Sequence, residues 1–120
     1  NVFARHERHA EATRRAVRSW GFEIQCSEPK EYSPVLTGVI MPTGHDADAL
    51  RSVILEKYNM SLGAGLGKIK GKVFRIGHLG DFNDLMLMGT LSGVEMGLTS
   101  AGVPHDKGGA QAALDFLAGN

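Results

Sequence analysis

Arg75 stands inside an apolar, β-branched run, Lys72-Val73-Phe74-Arg75-Ile76-Gly77-His78-Leu79-Gly80-Asp81-Phe82, and a glycine turn follows at once. Period-2 alternation puts Phe74 and Ile76 on one face of a strand and Val73, Arg75 and Gly77 on the other. A guanidinium does not give up its charge in a protein, so that face must offer it water or an anion. Its planar fork matches a carboxylate or phosphate with two parallel hydrogen bonds. Two readings follow: Arg75 holds the acid group of a small substrate, or it closes an ion pair with an acid of its own chain.

Other reactive residue types fall into weaker patterns. Gly63-Ala64-Gly65-Leu66-Gly67-Lys68 reads as a glycine loop, either a mobile connection between two strands or a source of backbone donors, at Gly65 and Gly67, beside Arg75. It is not a P-loop, because no Gly-Lys-Ser/Thr opens a following helix, and it is not a dinucleotide fingerprint. His78, just past Arg75, reaches either a ligand edge or water. His6 and His9 share a helix face and His45, His78 and His105 sit in turns, but no pair has partners at zinc-ligand spacing, so no metal site is read. Cys26 is the lone cysteine, with Glu28 nearby to oppose thiolate formation, and reads as structural. No serine lies in a nucleophile elbow, and none of the six lysines lies in an apolar setting that would activate it.

The elements that must position Arg75 are legible from periodicity. Residues 2 to 20 carry Phe3, His6, Ala10, Thr13, Val17 and Trp20 at helical spacing, and Gly21 stops the helix. Phe22–Cys26 alternates as a short strand, residues 27–34 read as a loop, and Val35–Met41 reads as a central strand broken by Gly38. Asp46 caps a second helix with Ala49, Leu50, Val53, Ile54 and Tyr58 as its buried stripe and Asn59 as its stop. Met60–Leu62 is a short strand, followed by the Arg75 strand. A third helix begins near Asp81 and ends before Gly102 and Pro104. A fourth begins near Gly109 with Ala113, Leu114 and Leu117 inward. Gly89, Gly93 and Gly97 form a row on the third helix, which implies a close-packed backbone. The mixed order predicts an α+β, two-layer domain in which a small, mostly antiparallel sheet is packed by helices.

Composition bounds the function classes. The 120 residues carry thirteen basic and thirteen acidic side chains, so the electrostatic footprint of a nucleic-acid binder is missing. The arginines of the first helix alternate with Glu7 and Glu11, and the Glu11–Arg15 spacing predicts an ion pair on a solvated face. No apolar run approaches ~20 residues, which argues against a membrane partner. One cysteine and no visible signal peptide fit a cytoplasmic protein. The absence of an initiator methionine, and a start within a helical pattern, suggest a piece of a longer protein.

The stretch from Gly65-Leu66-Gly67-Lys68 through Gly71-Lys72-Val73-Phe74-Arg75-Ile76-Gly77-His78-Leu79-Gly80 resembles the C-terminal domain of class V pyridoxal-phosphate aminotransferases, in particular the serine–glyoxylate and alanine–glyoxylate group. Ala12-Thr13-Arg14-Arg15-Ala16-Val17, Pro34-Val35-Leu36-Thr37-Gly38-Val39 and the Asp81-Phe82-Asn83 turn extend the resemblance over nearly the whole chain. It implies that residues 1–120 are a small C-terminal domain, that a large cofactor domain lies elsewhere, and that the enzyme is a homodimer using pyridoxal 5′-phosphate. It implies that Arg75 binds the α-carboxylate of an amino acid or 2-oxo acid. The reaction would pass the amino group of serine (or alanine) to glyoxylate, giving hydroxypyruvate (or pyruvate) and glycine. The Schiff-base lysine would belong to the large domain, so no catalytic residue is assigned here and the chain alone would be inactive. A stand-alone module binding amino or keto acids, or a structural piece, remains the alternative when the residues are read by themselves.

Overall fold

The computed structural model describes residues 2–24, 36–64, 71–77 and 83–119. Along these the elements run α1 (Val2–Ser19), β1 (Glu23–Ile24), β2 (Leu36–Ile40), α2 (Ala47–Tyr58), β3 (Gly63–Ala64), β4 (Val73–Gly77), α3 (Asp84–Ser100) and α4 (Gly109–Ala118). The order is the one the periodicities predict. The strands form one antiparallel sheet in the order β1-β2-β4-β3, so the fold is α+β.

Helix α1 turns Ala10, Thr13, Val17 and Trp20 inward, as its spacing requires. It ends where Gly21 adopts φ +88°. Gly21 N–H donates to Arg18 O (3.0 Å) and Phe22 N–H to Val17 O (3.2 Å), which satisfies two of the last carbonyls. Asp46 caps α2 by accepting from Asp48 N–H (2.9 Å), and Asn59 closes it in the left-handed region at φ 54°. The cap of α3 is Asn83, whose side chain accepts from Met86 N–H (2.8 Å). The expected cap, Asp81, lies outside the described residues.

Phe74 and Ile76 of β4 and Val39 of β2 are fully buried and share the core with Trp20, Leu50, Ile54, Leu87, Leu91 and Leu98 from the helices. Beneath the sheet the helices are tied by polar bonds. Glu95 of α3 accepts from the Trp20 indole of α1 (2.8 Å) and from the N–H groups of Gly108 (3.1 Å) and Ala110 (2.9 Å) at the start of α4. Arg8 of α1 donates to Asp84 of α3 (2.6 Å) and to the Leu117 carbonyl of α4 (2.8 Å).

Four expectations are corrected. The strand is not Met60–Leu62 but Gly63–Ala64, so Gly63 belongs to the sheet rather than to a loop. Pairing with β4 defines this strand, whereas Leu62 is buried and Met60 packs toward α3. Ala49 and Leu114, assigned to buried stripes, are exposed, because each helix buries a narrower face. Arg14, read as part of a solvated face, is buried and bonded to Glu11 through Nε (3.2 Å) and Nη2 (3.0 Å). The glycine row on α3 meets side chains rather than backbone. A Cβ on Gly97 would lie 2.7 Å from Ile54 Cδ1 and one on Gly93 would lie 3.0 Å from Met60 Cε, while Gly89 faces open space.

Candidate functional site

Arg75 sits in the middle of β4, on the face opposite Phe74 and Ile76, as the alternation requires. It is half-buried. β4 lies inside the sheet, so Arg75 has a strand on each side. Its register partners are Gly38 of β2 and Gly63 of β3. No side chain therefore rises beside it from either neighbouring strand.

The other arginines set the comparison. Arg8 is held by Asp84, Arg14 by Glu11, and Arg15 by Glu11 (3.0 Å), the pair predicted from spacing. Arg15 also lies over the Phe116 ring, 4.3 Å from its centre. Arg51 donates to the Leu62 carbonyl (2.7 Å) and to Asp48 (3.2 Å). Arg18 has an interaction as well. Among the arginines whose side chains the structure describes, Arg75 is the one with neither a hydrogen bond nor an ion pair. Glu23, an acid on the same face by register, is two strands away and does not pair with it. A half-buried guanidinium needs an acceptor, because leaving a charge unsatisfied costs more than leaving a neutral group so.

The remaining candidates divide. His78, Gly65, Gly67 and Cys26 lie outside the described residues. His9 is buried with Nε2 2.9 Å from Asp84 Oδ1, and His105 bonds through Nδ1 to the Val103 carbonyl (2.8 Å). Both histidines are built into helix junctions. Among the described residues, no group of three or more histidine, cysteine or acid side chains could hold a metal ion. Among them too, no helix is long and apolar enough to cross a membrane.

Three carboxylates are held below their ordinary range. Burial pushes the Glu95 carboxyl up, but the Trp20 indole, the Ala110 and Gly108 amides and the charge of His105 together outweigh it. Burial likewise raises Glu11, and the hydrogen bonds and charges of Arg15 and Arg14 overcome it. Asp84 is lowered first by the Arg8 hydrogen bond, against burial, and further by His9. All three belong to helix junctions or the α1 surface, and none faces Arg75.

The sequence reading missed the glycine pair flanking Arg75. Gly38 registered only as a break in an apolar strand and Gly63 as the start of a loop. The available signal was that glycine inside a strand marks a place where another group comes close.

No protein-family model matches the chain. It is 43% identical over 121 aligned residues to a serine–glyoxylate aminotransferase of Hyphomicrobium methylovorum, covering all of this chain and 30% of that protein. It is 46% identical over 119 residues to a serine–glyoxylate aminotransferase of Arabidopsis thaliana, covering 98% of this chain and 29% of that protein. The crystal structure of pyridoxamine–pyruvate aminotransferase from Mesorhizobium loti superposes with a TM-score of 0.88 at 30% identity, over 97% of this chain and 30% of that one. This chain is the C-terminal portion of a class V aminotransferase. It spans about 30% of the length of the curated relatives it matches. Arg75 lies on the sheet face opposite Phe74 and Ile76, with a glycine in register on each flank.

Proposed function

We propose that this chain serves a pyridoxal-phosphate-dependent aminotransferase that moves an amino group from serine, or alanine, to glyoxylate, and that Arg75 holds the α-carboxylate of the amino acid and of the 2-oxo acid. The observation that supports this is the unpartnered guanidinium between two glycines. Its fork can meet both oxygens of a carboxylate, which sets orientation as well as affinity. Two-point contact stops rotation of the acid group, so the bond to be broken at Cα is presented in one direction. The names of the relatives supply the donor and acceptor.

The cofactor's place is elsewhere in such an enzyme. The described lysines, Lys57, Lys72 and Lys107, are all exposed. These residues do not fit a site for covalent attachment of pyridoxal phosphate, and no step is routed through them. The homodimer and the cytoplasmic location belong to this same reading, and gel filtration of the complete enzyme tests the first.

In the complete enzyme, Arg75→Ala weakens L-serine binding by about 3 kcal/mol, on the order of a hundredfold, because two charge-assisted hydrogen bonds are lost. Cofactor content stays at the wild-type level. Spectral titration with serine, alongside the cofactor absorbance of the purified protein, reads both quantities. Unchanged serine affinity would refute the assignment.

A further inference from the structure

Gly63 is not required by its backbone. Its φ lies outside the left-handed region, where any residue is accommodated. It is required by space. A Cβ placed on it would lie 3.1 Å from Arg75 Cβ, 3.7 Å from Arg75 O and 3.8 Å from Arg75 Cδ. Directly opposed residues in an antiparallel pair ordinarily keep their Cβ atoms about 4.5–5.5 Å apart, so a side chain at this register position must push the Arg75 stem aside. The short distance to Cδ shows that the arginine's aliphatic stem runs over Gly63, toward β3. On the other flank the register partner is Gly38, also bare, and only partly buried.

We propose that Gly63 and Gly38 are positioning residues for the carboxylate anchor, Gly63 providing the bed over which the Arg75 stem lies and Gly38 keeping the register position on the opposite flank without a side chain. This rests on the carboxylate reading of Arg75 and adds the devices that aim it. Glycine is a costly residue in a strand, since it packs nothing and loses more freedom on folding than other residues. Two of them, in register with one arginine from opposite sides, place that cost around an arginine whose guanidinium has no hydrogen bond or ion pair among the described residues. A methyl group at Gly63 lifts the stem by a few tenths of an ångström and swings the guanidinium edge further. A methyl group at Gly38 puts a side chain at the register position on the opposite flank.

The test is a double-mutant cycle in the complete, cofactor-loaded enzyme, with L-serine as the titrant. Gly63→Ala is expected to weaken serine affinity roughly tenfold, on the scale by which small misplacements reduce productive binding. It raises KM more than it lowers kcat, with cofactor content unchanged. In an Arg75→Ala background the same substitution is expected to leave serine affinity unmoved, because there is no fork left to aim. A purely structural glycine would instead show the same loss in both backgrounds, and that result overturns the proposal. If Arg75→Ala itself changes nothing, the carboxylate reading falls and this inference falls with it. If Arg75→Ala weakens binding but Gly63→Ala does not, only the positioning role falls. Should Gly63→Ala fail to accumulate as folded protein, Gly38→Ala carries the same cycle. A crystal structure of either variant with the guanidinium undisplaced and affinity unchanged refutes it.

Discussion

Arg14 and Arg75 show how context decides what an arginine does. Arg14 is buried, yet its donors find Glu11 three residues earlier on the same helix. Arg75 is half-buried on a strand, where neighbours along the chain point away and the cross-strand partners are glycines. The side it faces was legible in the sequence, because alternation in β4 is a local property. The bare flanks were not, because register is a relation between distant segments and Gly63 resembled the start of a flexible loop. Arg75→Lys separates charge from geometry. Lysine keeps the positive charge but meets a carboxylate at one point, so serine affinity should fall by about 1–2 kcal/mol, roughly 5- to 30-fold, less than for alanine. Titration of the two variants side by side checks the ranking.

The helices were the most readable elements. Asp46 and Asn59 bound α2 as their chemistry suggests, and Gly21 ends α1. The strand at Gly63 was misplaced because two apolar residues, Met60 and Leu62, outweigh a glycine and an alanine in any pattern. The sheet is defined by hydrogen bonding to β4, which apolar spacing does not report. The glycine row on α3, expected against a close-packed backbone, packs against side chains at two members and meets nothing at the third. At Gly97 a Cβ must displace Ile54, so Gly97→Ala should destabilise the protein by about 1–3 kcal/mol despite alanine's better helix propensity. At Gly89 nothing stands within 4 Å, so Gly89→Ala should stabilise it by about 0.5–1 kcal/mol. Opposite shifts of the urea midpoint, at unchanged m-value, would verify both.

Across the whole molecule, Glu95 links three helices through one carboxylate. It receives the Trp20 indole from α1 and two amides from the start of α4, whose own cap residue, Gly108, has no side chain to offer. Its folded-state pKa lies below the ordinary value of 4.5, so the ionised form is the one folding favours. The stability this contributes is complete above about pH 4.5 and is lost as pH falls through the lowered folded value. Glu95→Gln should cost about 1–3 kcal/mol near neutrality, because a charged acceptor of several donors becomes a neutral one. It should also flatten the acid limb of a stability-versus-pH curve. Thermal melts from pH 3 to 7 on both proteins measure both effects; parallel curves would count against Glu95 as the junction. No spacing in the sequence announces Glu95, since its partners lie 75, 13 and 15 residues away.

Strand β3 is two residues long and forms one rim of the sheet, fastened on its inner side to β4 and, just before it, by the Arg51 bond to Leu62. The bed beneath the arginine stem is therefore held to the sheet along one side only. Under the proposed carboxylate role of Arg75, grip on an acid group can slacken there while the helical body stays intact, so selectivity and global robustness are free to drift apart under mutation. Changes as remote as Arg51 would register first as altered ligand preference.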